Sequence, residues 1–430
     1  MRTGTRRHGN SSIRAFAGLR EPLVTSIGRG RVAGAAFLAL VLLLAACSGS
    51  ADTASTGGTL PGGAPAPAPA GQGGDDPVTT APTTTAPPRH FTLLASGDIL
   101  IHAPIMREAK ALGNGKSYVF DQMFDDVRPQ ITAADFAICH QETPISADNT
   151  NLTVSNTLSF NAPTEIAAAL KKAGFDACDT ASNHTWDRQL KGVNETLEVL
   201  EAAGIGHSGS SRNQQEADAP PIYDVKGVKL GHLAYSYDIY NTAGPDKQVP
   251  AEAPWLKSML WPALGAEGML AQAHALKARG AEFVVLSIHW GDQYQHQPNA
   301  QQRQLAKDLL ASPDVDLILG DHVHVVQPCE KIGDKYVMYG MGNFLSNQSP
   351  TQDRTLVSDN QDGSMETYTV DETSPGHFAV TSMTYTPTWV VIPGHKIAIA
   401  TPTNFKDSYT RTVKNVGLLG AGACDATPTA

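Results

Sequence analysis

The chain has 430 residues, of which 41% are hydrophobic, enough for one large folded domain or two small ones. Its formal net charge is −10, and the imbalance deepens beyond the N-terminal region. Residues 1–46 hold seven Arg and one Glu, so the remainder carries 25 basic and 41 acidic residues and a net charge of −16. Such a surface repels phosphate backbones and argues against nucleic-acid binding.

Arg29 and Arg31 precede an apolar run from Val32 to Ala46 that ends in Leu44-Ala45-Ala46-Cys47. The run is shorter than the roughly 20 residues a membrane span needs. A basic flank, a short apolar core and small residues before a cut site describe a secretory signal. The tetrapeptide resembles a bacterial lipobox, so residues 1–46 read as a lipoprotein signal segment and Cys47 as the lipidation site. That places the protein outside the cytoplasm, anchored by lipid to the bacterial cell membrane. Residues 47–89 are mostly Ala, Pro, Thr, Gly, Ser and Asp, with nothing to bury. They read as a disordered spacer, reaching roughly 35 Å as a flexible coil. With Cys47 assigned to lipid, Cys139, Cys178, Cys329 and Cys424 remain, an even set that permits two disulfides outside the cytoplasm. At least one disulfide is expected, within Cys139/Cys178, which lie in consecutive predicted strands, or within Cys329/Cys424.

From residue 90 to 430 the pattern is that of one folded α/β domain. Phe91–Ser96, Asp135–Cys139, Phe175–Thr180, Lys229–Tyr235, Glu282–Ile288 and Asp314–Leu319 read as strands. Leu190, Val193, Leu197 and Leu200 recur at helical spacing before Gly204, and a second helix is predicted over Asn299–Leu310. After Lys335 the pattern is mostly strands: Val337–Tyr339, Glu366–Val370, Phe378–Tyr385 and Trp389–Ile392. Strand–helix alternation argues for α/β architecture.

Five of these strands run into side chains that can hold a metal. Phe91–Ser96 is followed by Gly97-Asp98, and Asp135–Cys139 by His140-Gln141-Glu142. Phe175–Thr180 leads to Asn183-His184, Glu282–Ile288 to His289, and Asp314–Leu319 to Gly320-Asp321-His322-Val323-His324. Ligands gather at the carboxyl ends of strands in open α/β sheets. Each motif alone is also an ordinary turn or core residue; their joint order is the informative signal.

Asp98, Glu142, Asn183-His184, His289 and His322-x-His324 follow the order of the calcineurin-like metallophosphatase motifs. The fuller strings resemble the bacterial capsule-synthesis CapA (poly-gamma-glutamate synthesis) family: Gly97-Asp98-Ile-Leu-Ile-His102, Glu142-Thr-Pro144, Phe160-Asn-Ala-Pro163, Ser182-Asn-His-Thr-Trp-Asp187, His289-Trp-Gly291 and Tyr339-Gly-Met-Gly-Asn-Phe344. The chain departs from that family at His140-Gln141-Glu142, where Asn-Leu-Glu is usual. It departs again at Gln293, where Glu is usual, and at Gly320-Asp321-His322-Val323-His324, where Gly-His-His-Pro-His is usual. The first metallophosphatase motif is Asp-x-His, whereas this chain has Asp98-x-x-x-His102.

The resemblance implies a four-layer α/β/β/α sandwich and two divalent ions: manganese, iron or zinc, as mixed nitrogen and oxygen ligands suit. Glu142 would bridge them, with Asp98 and His324 on one ion and Asn183, His289 and His322 on the other. His102 is a further candidate ligand. His184 would protonate a leaving group and Asp187 would orient it. The implied function is a metal-dependent hydrolase or phosphoesterase of the cell envelope, linked to synthesis, export or anchoring of capsule or poly-gamma-glutamate. The alternative is a non-catalytic accessory protein that binds polymer. Partners would be the membrane, capsule polymer and its synthesis machinery.

Overall fold

The computed structural model describes residues 87–155, 157–241 and 249–429. The signal segment, Cys47 and all but the last few residues of the spacer lie outside the described residues.

The first half of the domain winds as a parallel sheet. Its elements are β1 (His90–Ile99), α1 (Ala103–Leu112), α2 (Arg128–Ala133), β2 (Phe136–Gln141), α3 (Glu165–Ala173), β3 (Ala177–Asp179), α4 (Gln189–Ala202) and β4 (Gly206–Ser208). β1 to β4 pair side by side in chain order, each parallel to the next. Alternation along the strands sends their side chains to two different cores. Phe91, Leu93 and Ala95 enter a core shared with the second sheet, while Leu94, Ala137, Cys139 and Cys178 pack against α1 and α3. α3 stops at Gly174, whose φ of +115° suits a residue without Cβ.

A second sheet is built from the following segment. After α5 (Gln214–Ala217), β5 (Ile222–Val225) forms a hairpin with β6 (Val228–Ser236). α6 (Trp261–Ala278), β7 (Phe283–His289), α7 (Ala300–Leu310) and β8 (Leu317–Asp321) follow, then the hairpin of β9 (Cys329–Ile332) and β10 (Lys335–Met338). The strand order is β5-β6-β7-β8-β10-β9, with β6, β7, β8 and β10 parallel. Phe283, Val285, Leu317 and Leu319 face the first sheet. Val284, Leu286, Ile288 and Ile318 turn the other way, onto Met269, Ala273 and Leu276 of α6 and Leu305 and Leu309 of α7. Asn299 caps α7 by accepting from the Gln302 amide, and Gln302 returns the bond through its side chain.

The chain then returns to the first sheet through β11 (Asn343–Leu345), β12 (Asp362–Ser374), β13 (His377–Val391), β14 (Lys396–Ile399), α8 (Lys406–Val416) and β15 (Thr427–Pro428). That sheet reads β14-β13-β12-β1-β2-β3-β4, with β11 on β1 and β15 on β13. Helices on sheet, sheet on sheet and sheet on helices make the α/β/β/α sandwich that the resemblance implied. The strands expected at Phe378–Tyr385 and Trp389–Ile392 are instead one strand, β13, running through Pro387. Pro387 lies between the stretch paired with β15, which ends at Tyr385, and the stretch paired with β14, which begins at Thr388. The missing N–H therefore interrupts neither ladder on that side. Disulfides join Cys139 to Cys178 across the β2–β3 ladder, at a Cα separation of 4.4 Å, and Cys329 to Cys424, at 5.7 Å.

Candidate metal centre

The parallel strands of the two sheets bring their carboxyl ends to one place. Asp98 closes β1, His140 and Glu142 close β2, Asn183 and His184 follow β3, His289 ends β7, and His322 and His324 follow β8. All eight are buried. Gly97 lets β1 approach the loop before β11: a Cβ there would lie 2.0 Å from the Gly342 oxygen. That closeness sets the bond from the Asp98 amide to the same oxygen, at 2.9 Å.

Two groups of ligand atoms converge, and they share Asp98. The first is Asp98, Glu142 and His324. Asp98 Oδ2 stands 2.8 Å from His324 Nδ1, and Glu142 Oε1 stands 3.7 Å from His324 Nε2. The second is Asp98, His140 and His289. His289 Nε2 also lies 2.9 Å from Asn183 Oδ1 and 3.1 Å from His322 Nδ1. Glu142, expected to bridge, belongs to the first group, while Asp98 belongs to both. His322 and His324 both have positive φ, +91° and +56°. This left-handed turn sends His322 to the His289 group and His324 to the Glu142 group. Side-chain-bearing residues occupy such conformations at a cost, and they cluster at functional sites.

The electrostatics follow from burial. Burial alone would push His324 down, but the charges of Glu142 and Asp98 outweigh it and hold it at about 9. Burial pushes Glu142 up and lowers His289 well below its ordinary value, and it pushes His322 down to about 3. Both Glu142 oxygens are buried without a hydrogen-bond partner, as are His140 Nε2 and His289 Nδ1. Orphaned polar atoms in a dry interior are costly, and a cation is the group that would satisfy carboxylate and imidazole lone pairs together. The residues therefore fit a divalent metal, and the mixed oxygen and nitrogen donors suit manganese, iron or zinc.

His102 takes no part in either group. Its Nδ1 lies 2.9 Å from the Leu100 oxygen and accepts from the Asn347 amide at 3.3 Å, and its ring meets the edge of Phe160. His184 does not join the ligands either. Its Nδ1 lies 2.8 Å from Asp187 Oδ2, which also accepts from the Phe160 amide at 2.6 Å. Three features of the site escaped the reading of the sequence. His140 and Asp321 were placed among the metal-capable residues after strands but given no role, and Asp179 fell inside the predicted strand Phe175–Thr180; the three form a further buried group. Tyr237 packs on His289 and His322. Asn343, inside the Tyr339–Phe344 string, places Oδ1 3.1 Å from His324 Nδ1. Their acid or histidine character at strand ends was the available signal for the first three. A partly exposed group, Glu201, His207 and Glu216, has both its carboxylates bonded by Arg212.

The layers and strand order give a metallophosphatase-like α/β/β/α fold, with candidate ligands gathered at its strand ends. A family-wide sequence profile described as bacterial capsule synthesis protein PGA_cap matches residues 92–348, and the chain belongs to that family. It is 26% identical over 281 residues to the capsule biosynthesis protein CapA of Bacillus anthracis, covering 63% of this chain and 65% of that one. It is 26% identical over 262 residues to the PGA biosynthesis protein CapA of Bacillus subtilis (strain 168), covering 61% and 64%. The chain thus spans just under two thirds of these relatives' length. A phosphatase crystal structure from Mycoplasma pneumoniae aligns over 76% of this chain and 99% of its own, with 12% identity and a TM-score of 0.41.

Proposed function

We propose that this protein is a dimetal-dependent hydrolase of the bacterial cell envelope, acting on phosphoesters or related bonds in the making or anchoring of a capsule polymer such as poly-gamma-glutamate. The observation that supports it most is the pair of buried ligand groups sharing Asp98. Asp98, Glu142 and His324 would hold one ion, and Asn183, His289 and His322 the other, with Asp98 reaching both. The ions would supply Lewis acidity toward the oxygens of the scissile group. His184 would carry out the proton chemistry: Asp187 accepts a hydrogen bond from its Nδ1–H, which fixes the ring, and the doubly protonated ring gives its Nε2 proton to the leaving group. Phe160 holds the pair from both sides, its ring edge-on to His184 and its amide on Asp187. The capsule connection comes from the family, whose relatives are described as capsule and PGA biosynthesis proteins. Lipid attachment at Cys47 and a spacer over 47–89 would hold the domain at the membrane surface.

The test is hydrolysis of a nitrophenyl phosphodiester in manganese. His184→Ala should retain metal and fold while losing about 10²–10⁴-fold in rate, the usual worth of general acid–base help. Metal-replete wild type that hydrolyses neither phosphoesters nor capsule polymer, yet binds polymer equally with His184 removed, would establish the accessory-binding reading instead.

A further inference from the structure

We propose that His140 is itself a metal ligand, joining through Nε2 the ion met by His289, and that Asp179 is the carboxylate that aims it. The proposal rests on the two-metal reading above and adds to it a ligand that this reading did not include.

His140 is 1% exposed and stands in register beside Asp98, the residue common to both ligand groups. Its Nδ1 lies 2.6 Å from Asp179 Oδ1 and 4.0 Å from Asp321 Oδ2. A carboxylate at hydrogen-bond distance fixes the proton on Nδ1 and leaves the Nε2 lone pair free, the usual arrangement of carboxylate, histidine and metal. Nε2 points away from those acids into the metal centre. It is fully enclosed, has no hydrogen-bond partner, and converges with Asp98 and His289 so that the three ligand atoms lie within 4.8 Å of one another. The His140 and His289 rings are 4.9 Å apart.

The rival account makes His140 a protonated counter-ion clamped between acids. That form needs an acceptor for Nε2–H. The nearest carboxylate on that side, Asp98 Oδ1, is 3.9 Å away, beyond hydrogen-bond reach. A buried N–H left without an acceptor is costly, whereas a buried lone pair facing a cation is satisfied. The geometry therefore favours the ligand over the counter-ion. Asp321 differs from Asp179: it sits at the long end of the contact, both its oxygens lack hydrogen-bond partners, and it does not hold the ring directly.

The experiment is equilibrium dialysis of the folded domain against manganese or cobalt, with metal per chain read by plasma mass spectrometry and the visible absorption of the cobalt form recorded. Wild type should hold two ions. His140→Gln should keep one at full affinity and hold the second at least ten- to hundredfold more weakly, with a changed cobalt spectrum. Asp179→Asn keeps the ring nitrogen, so it should weaken the same ion ten- to hundredfold while leaving the cobalt bands near their wild-type positions. Two ions at wild-type affinity and an unaltered cobalt spectrum in both variants would overturn this inference alone. Wild type that takes up no ion would overturn the two-metal reading as well. Should His140→Gln not fold, Asp179→Asn still decides: unchanged affinity for both ions defeats the proposal.

Discussion

Asp98→Asn is the sharpest perturbation of the centre, because Asp98 alone belongs to both ligand groups. The amide keeps the volume and one oxygen but removes the charge. Two unit charges about 4 Å apart interact by about 4 kcal/mol at an effective dielectric constant near 20, and a divalent ion roughly doubles this. Asp98 is fully buried, so desolvation of its carboxylate already offsets part of that gain. If half is offset, each site loses about 4 kcal/mol, close to a thousandfold in affinity. Asp98→Asn should therefore bind neither ion at micromolar metal. His324→Ala should lose only the ion it shares with Glu142, and His289→Ala only the other. The assay is metal content after dialysis, with circular dichroism to establish the fold. Folded Asp98→Asn that retains both ions would refute the assignment of Asp98 as the shared ligand.

Two further outcomes follow from other parts of the chain. Burial pushes Glu366, fully enclosed between the sheets on β12, up to about 8. A carboxyl whose folded value lies above its unfolded one costs stability as pH rises between the two. The stability advantage of Glu366→Gln over wild type should thus grow by up to about 1.4 kcal/mol per pH unit from pH 5 to 8 and then level off; urea midpoints that stay parallel across that range would contradict it. Cys47→Ala should yield protein without acyl modification, and mass spectrometry finding an unacylated mature N-terminus in wild type would end the lipid-anchor proposal.

Much of the site was legible because its chemistry is written at strand ends. Apolar runs of five to seven residues announce β1, β2, β7 and β8, and the polar residue that stops each run is the residue that faces the centre. What stayed hidden depends on the third dimension. The turn at His322 and His324 is left-handed, a conformation that no local pattern at histidine announces. α1, α3 and α8 were not predicted, although in α3 the buried Ile166, Leu170 and Ala173 recur at helical spacing before Gly174. α6 is interrupted at Gly265, which has φ +62°, and its hydrophobic residues follow no single face. Asp98 as the shared carboxylate could not be read from order along the chain, because sharing is a matter of distance.

The two departures at His140 and Asp321 show the same principle in the energetics. In sequence they stand 181 positions apart and look unrelated. In the structure His289 pairs with Asp321 across β7 and β8, Asp98 pairs with His140 across β1 and β2, and His140 Nδ1 comes within 4.0 Å of Asp321 Oδ2. Asp179 and Asp321 both face Nδ1 of that ring, so the acids and the imidazole form one buried unit. A buried acid whose oxygens find no hydrogen-bond partner is costly, and both oxygens of Asp321 are in that state. The His140 ring is the polar group beside it, and Asp179 holds that ring by Nδ1, so a change at any one of the three is felt by the other two.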